Sequence, residues 1–124
     1  MKRNRVLIVD DQPGMAETLA DILEDEGCEV ILATNGAQAL QQAAKHRIDM
    51  VLMDVIMPGM SGVDALRALR QVNPQTPVVM MTGYKVEHLM KEAMREGSLA
   101  VLQKPVDPGV LVGIVLNTLE LRMQ

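Results

Sequence analysis

Aromatic side chains are nearly missing from this sequence, which holds one tyrosine, Tyr84, and neither phenylalanine nor tryptophan. It therefore lacks the flat surfaces that stack flavins or unpaired bases. A single cysteine, Cys28, excludes an internal disulfide and a four-cysteine zinc site. No apolar run approaches the roughly 18 residues that a membrane-spanning helix needs, so no membrane role is expected. Lys2, Arg3 and Arg5 precede only Val6 to Val9. That stretch is too short for a signal-peptide core, so a cytoplasmic location is expected. An excess of positive charge is absent too: 12 basic against 16 acidic residues leave a net charge of -4. That balance gives no electrostatic reason for direct nucleic-acid binding. Composition shifts, repeats and low-complexity stretches are also lacking, and 124 residues suit one folding unit, so residues 1–124 read as a single domain.

What is present is an alternation. Five short apolar runs, Val6 to Val9, Val30 to Ala33, Met50 to Met53, Val78 to Met81 and Leu99 to Leu102, are mostly unalternated. Strands covered on both faces have that pattern. Between and after the runs, apolar residues recur at helical spacing: Met15, Leu19, Ile22 and Leu23; Leu40, Ala43 and Ala44; Val63, Leu66 and Leu69; Val86, Leu89, Met90, Ala93 and Met94; Leu111, Ile114, Val115 and Leu119. Pro13, Gly27, Gly36, Pro58-Gly59, Pro74, Pro77, Gly97 and Pro105 punctuate the joints. Strict β-α alternation with short connections predicts an α/β fold, (βα)5 and doubly wound, with a five-stranded parallel sheet. The 11 methionines read as flexible core filler in place of aromatics.

Ligands of open parallel sheets bind at the carboxyl ends of the strands. Here the first run ends in Asp10-Asp11, the third in Asp54, the fourth in Thr82 and the fifth leads to Lys104-Pro105. Singly, each has a plain reading. Asp10 and Asp11 suit a helix cap ahead of Pro13, Asp54 suits a turn before Pro58-Gly59, and Lys104 suits solvated surface. Jointly, three carboxylates, a hydroxyl and an ammonium on one sheet edge point to a site. His46 and His88 have no partner at ligand spacing and read as surface residues, and Cys28 reads as a small buried residue.

The stretches Val6-Leu7-Ile8-Val9-Asp10-Asp11, Met53-Asp54-Val55-Ile56-Met57-Pro58-Gly59-Met60-Ser61-Gly62, Met80-Met81-Thr82-Gly83 and Lys104-Pro105 closely resemble, in order, the motifs of response-regulator receiver domains of two-component signalling. The resemblance implies a flavodoxin-like fold with strand order 2-1-3-4-5. It implies that Asp54 accepts a phosphoryl group from the phosphohistidine of a sensor histidine kinase or a phosphotransfer protein. It implies Mg²⁺ as cofactor, held directly by Asp11 and Asp54, through water by Asp10, and by the backbone carbonyl of Ile56. Lys104 and Thr82 would contact the phosphoryl group, Gly83 would leave the approach open, and Pro105 would follow a cis bond that aims Lys104 inward. Ile56 and Tyr84 would flank the path of the hydrolytic water. Such a chain is a signalling domain that catalyses only its own phosphorylation and dephosphorylation. It would act on an output domain or partner protein through the fourth helix, fifth strand and fifth helix, with a homodimer among the options.

Four departures from the family pattern bear on the switch. Val101 stands where receivers usually carry Tyr or Phe, Gln12 replaces an acidic residue, and Leu99 and Ala100 occupy positions that are often acidic. With Val112 and Leu116 off the apolar stripe, extra apolar surface is expected around helices four and five. Two rivals compete with the receiver reading. One is an interaction module of the same fold that no longer uses phosphate, prompted by Val101. The other is an aspartate-nucleophile phosphohydrolase of the dehalogenase type, which needs Asp-x-Asp where this chain has adjacent Asp10 and Asp11. A stand-alone receiver and a piece of a larger regulator both fit a sequence that stops at Gln124.

Overall fold

The computed structural model of the chain describes residues 3–83 and 87–122. Five strands alternate with five helices: β1 (Arg5–Val9), α1 (Pro13–Asp25), β2 (Glu29–Ala33), α2 (Gly36–Lys45), β3 (Met50–Asp54), α3 (Gly62–Val72), β4 (Val78–Thr82), α4 (Glu87–Arg95), β5 (Ala100–Gln103) and α5 (Pro108–Arg122). All strand pairs are parallel and the sheet runs β2-β1-β3-β4-β5. This is the flavodoxin-like α/β architecture expected from the alternation and the resemblance.

The unalternated apolar strands have a direct cause. Successive side chains of a strand point to opposite faces, and here both faces are covered. Leu7, Val9, Met53 and Met80 pack with Ala39, Ala43, Leu66, Leu69 and Ala93 of α2, α3 and α4. Their neighbours Val6, Ile8, Met50, Leu52 and Met81 pack with Leu19, Leu23, Leu111, Val115 and Leu119 of α1 and α5. The three inner strands are accordingly buried over nearly their whole length.

Where the structure differs from the sequence expectation, the sheet edges explain most of it. β2 and β5 are only partly covered, because each has a neighbour on one side alone. Leu99 precedes β5 and is exposed. On α2 the buried face holds Ala39 and Ala43 while Ala44 is exposed, and on α4 Ala93 is buried while Met94 is exposed. On α1, Ala16 and Ala20 take places nearer the sheet than Met15 and Ile22. Val86 lies outside the described residues.

Candidate functional site

Parallel strands in register bring the ends of β1, β3, β4 and β5 to one edge. Val9 is level with Met53, Asp54 with Met81, and Thr82 with Gln103. Asp10 leaves β1, Asp54 ends β3, Thr82 ends β4 and Lys104 leaves β5. Asp10, Asp54 and Thr82 are buried at 0%, 7% and 2% exposure, which for the two carboxylates is rare unless they are paired. Asp11 is exposed at the mouth.

Lys104 is the partner. Its Nζ donates to Asp10 Oδ2 at 2.8 Å and to Asp54 Oδ2 at 3.0 Å. The other oxygen of Asp10 accepts from the backbone N–H of Gln12 at 2.9 Å, just before α1 begins. The capping reading of Asp10 is therefore half realised: it fixes the turn into α1, but the N-cap residue is Gln12 and α1 has no side-chain cap. Burial pushes the Asp54 carboxyl above its usual range, and the nearby Asp10 adds to that, although Lys104 and the Ile56 N–H pull the other way. Burial alone would lower the Lys104 ammonium, but its bonds to Asp10 and Asp54 outweigh that and hold it above its ordinary value. One ammonium thus answers two buried carboxylates, and the site is short of positive charge.

That shortage frames the test for a metal. One carboxylate oxygen from each of Asp10, Asp11 and Asp54 can be chosen so that all three lie within 4.8 Å of one another. Three hard oxygen donors with a residual negative charge fit Mg²⁺ better than a soft metal. Asp11, Asp54, Ile56, Gly83, Lys104 and Pro105 line one open pocket together with Gln12, Met15, Met57 and Pro58. The Lys104–Pro105 peptide bond is cis.

The loop from β3 to α3 is shaped to hold Asp54 in place. Gly59 adopts φ +79°, a left-handed conformation that favours glycine. Ser61 caps α3 by accepting from the Asp64 N–H at 3.2 Å. Gly62 donates its backbone N–H to the Val55 carbonyl at 2.8 Å. A Cβ on Gly62 would collide with the Asp54 carbonyl oxygen and sit 2.8 Å from Val55 Cα. Gly62 also opens α3. Its closeness to the end of β3, and the presence of Met15, Met57 and Pro58 in the pocket wall, have no sequence signal of their own.

Of the residues singled out in the sequence, Asp10, Asp11, Asp54, Ile56, Gly83, Lys104 and Pro105 are gathered at this edge, with Thr82 at the end of the adjoining strand. Ile56 is 40% exposed at the pocket. Tyr84 lies outside the described residues. His46 and His88 are exposed, and Cys28 is buried with its thiol pushed up by burial and by Glu26.

Comparison with known proteins points to one family. The family model of the response regulator receiver domain matches residues 6–116. A response regulator receiver protein of Anaeromyxobacter sp. (strain Fw109-5) is 45% identical over 102 residues, which are 82% of this chain and 43% of that protein. The sporulation initiation phosphotransferase F of Bacillus subtilis is 36% identical over 86% of both chains. The chain thus spans under half of the first relative and most of the second. Among solved structures, a CheY-like receiver domain protein of Methanospirillum hungatei JF-1 superposes with a TM-score of 0.92 at 28% identity, over 96% of this chain and 95% of that one.

Proposed function

The chain belongs to the response regulator receiver domain family, and from that premise we propose that it is a phosphorylation-driven switch whose acceptor is Asp54. The observation that carries this reading is the buried Asp54 carboxylate, 3.0 Å from Lys104 Nζ and within one cluster with Asp10 and Asp11.

An Asp54 carboxylate oxygen attacks the phosphorus of a phosphohistidine on a sensor kinase or phosphotransfer protein. The O–P bond forms as the N–P bond breaks, and the imidazole leaves with the electron pair. Asp54 is anionic when it attacks, and the low-dielectric pocket spares it competition from solvent. Lys104, already shared between Asp10 and Asp54, needs only a small movement to meet a phosphoryl oxygen as a point charge. Thr82 offers a hydroxyl donor from the end of β4, and Gly83 keeps the approach clear. Mg²⁺ would be held by Asp11 and Asp54 directly, by Asp10 through water and by the Ile56 carbonyl. When bound, it supplies the positive charge that the carboxylates and the incoming phosphoryl oxygens lack. Asp10 supports the indirect role because both of its oxygens already accept bonds within the protein. Catalysis by the chain is positioning and charge neutralisation, directed at its own Asp54.

The output of the switch is a surface formed by α4, β5 and α5, which acts on an output domain or a partner protein. Residues 1–124 act in this as one receiver unit. The phosphate-independent module is the second reading, favoured by one observation: Val101 on β5 has no ring to reorient. Labelling with a small phosphodonor separates the two. The switch incorporates one acid- and base-labile phosphoryl group per chain in Mg²⁺, and Asp54→Ala incorporates none. Stoichiometric labelling of Asp54→Ala, or no labelling of the parent protein, contradicts the proposal. Mg²⁺ titration followed by NMR checks the metal assignment: Asp11→Ala loses far more affinity than Gln12→Ala, whereas equal affinities place the metal elsewhere.

A further inference from the structure

α3 and α4 are held in different ways. On α3, Gly62, Val63, Ala65, Leu66 and Leu69 are buried, the last four in one cluster with Met53 and Met80 of the sheet. On α4, Ala93 is the one fully buried residue, with Leu89 packed partly against the same cluster. What α4 lacks in apolar contact it receives from two arginines of α3, Arg67 and Arg70, which lie one turn apart.

Arg67 answers three carboxylates with three nitrogens. Its Nη1 meets Asp64 at 3.0 Å, its Nη2 meets Glu92 at 2.7 Å and its Nε meets Glu96 at 3.0 Å. Asp64 belongs to α3, Glu92 to α4, and Glu96 follows the end of α4. Isolated exposed pairs add little to stability. Here the loss of one cation leaves three carboxylates together, and their like charges then oppose the contact of the two helices. Glu87, Lys91 and Arg95, the other charged residues of α4, make no ion pair among the described residues, so none of them replaces Arg67. Arg70 grips the turn beyond α4. Its Nη1 donates to the Pro74 carbonyl at 2.8 Å and its Nη2 donates to the Gly97 carbonyl. Gly97 has φ +99°, and a Cβ there would lie 2.6 Å from Arg70 Nη2, so the guanidinium occupies the space that a side chain would take.

The opposite end of α3 is fixed to the acceptor loop. The Gly62 N–H bonds the Val55 carbonyl, and the backbone of Asp54 and Val55 leaves no room for a methyl group on Gly62. With 11 residues α3 is about 16 Å long, short enough to move as one body. We propose that α3 is the lever by which the acceptor reaches α4: a shift of the Asp54–Val55 backbone moves Gly62, and Arg67 and Arg70 carry α4 and its following turn along. A contiguous path of bonds and packed backbone runs from Val55 through Gly62 to Gly97. The route needs no ring on β5, where this chain has Val101. It rests on the receiver reading, because it names how that site is coupled to its output surface, and it makes Arg67 and Arg70 positioning residues.

Amide hydrogen exchange followed by mass spectrometry reports on α4 directly. Incubation of the parent protein with phosphodonor and Mg²⁺ changes the exchange of α4 by roughly threefold or more. Arg67→Gln takes label at Asp54 to the same extent, exchanges faster at α4 before labelling, and loses most of the change on labelling. Arg67→Glu combined with Glu92→Arg and Glu96→Arg rebuilds the attraction with its signs exchanged, and both α4 protection and the response return. Gly62→Ala disturbs the same backbone without phosphate: it alters α4 exchange in the parent background and not beside Arg67→Gln. A parent-like response in Arg67→Gln, or equal effects of Gly62→Ala in both backgrounds, overturns the proposal. So does a labelled parent whose α4 exchange is unchanged, a result that leaves the receiver reading standing. If the parent takes no label, the receiver reading falls and the Gly62→Ala comparison decides: an effect that depends on Arg67 supports the lever, and equal effects remove it.

Discussion

Asp54 is buried at a cost, and that cost is measurable. Folding raises its carboxyl above the ordinary carboxylate range, chiefly through burial, so the native state disfavours its charged form. The sign is opposite to that of a salt-bridged surface aspartate. Between the ordinary value and the raised native one the native state holds the extra proton, so metal-free protein loses stability as pH rises through that window. The loss persists at neutral pH. Asp54→Asn removes the charge and keeps an oxygen for Lys104, so in Mg²⁺-free buffer at pH 7 it melts on the order of a few degrees higher than the parent. An unchanged or lower midpoint contradicts the assigned environment. Ile56 carries a second prediction at this scale. It is exposed at the pocket and offers no side-chain group to orient a water in line with the P–O bond. Phosphorylated protein should lose phosphate slowly, and Ile56→Asn should speed the loss by up to roughly a hundredfold, the usual worth of a positioned water. An unchanged lifetime, followed by phosphate release, assigns the control to another residue. Asp10, Asp54 and Lys104 were legible in the sequence because each closes or follows an apolar run. The sharing of Lys104 with Asp10 was not, because residues 94 positions apart are joined only by the fold.

Among the elements, the β3-to-α3 connection has the least room for change. Gly62 lies where the backbone of Asp54 and Val55 leaves no space for a methyl group. Gly62→Ala must push α3 away from β3 or shift Asp54, and overpacking of this kind costs roughly 1–3 kcal/mol. Chemical denaturation shows the loss of stability, and phosphodonor labelling slows because the acceptor moves. Parent-like values for both would mean that the loop yields freely. α4 contrasts with this. It fully buries Ala93 alone, with Leu89 packed partly against the core; Glu92, and Glu96 just past its end, reach Arg67 of α3, while Arg70 of α3 bonds the Gly97 carbonyl. An element held this lightly can move at small cost. The sequence marked all ten elements, since apolar runs and helical stripes need only local reading. It could not tell edge strands from inner ones, because Val30 to Ala33 and Leu99 to Leu102 are as apolar as the buried runs. Nor could it separate Ala39 from Ala44 on α2, where two alanines compete for one face and the packing against α3 decides.

Across the whole molecule, two covered sheet faces account for stability and one sheet edge accounts for chemistry. Periodicity predicts parallel strands with helices on both sides, but it is silent on the order β2-β1-β3-β4-β5, which rested on the resemblance of the motifs to receiver domains. That order, with β1 between β2 and β3, places Asp10 beside Asp54 and makes the site possible. No helix among the described residues is long and apolar enough to cross a membrane. If this edge converts a phosphoryl group on Asp54 into a signal, the modified residue can be mapped chemically. Protein incubated with phosphodonor and Mg²⁺ is reduced with borohydride, which converts an aspartyl phosphate to homoserine, and its peptides are then analysed by mass spectrometry. Homoserine is expected at position 54 and nowhere else. Homoserine at position 10 or 11, or a full return of unmodified Asp54 from protein shown to be phosphorylated, would contradict it.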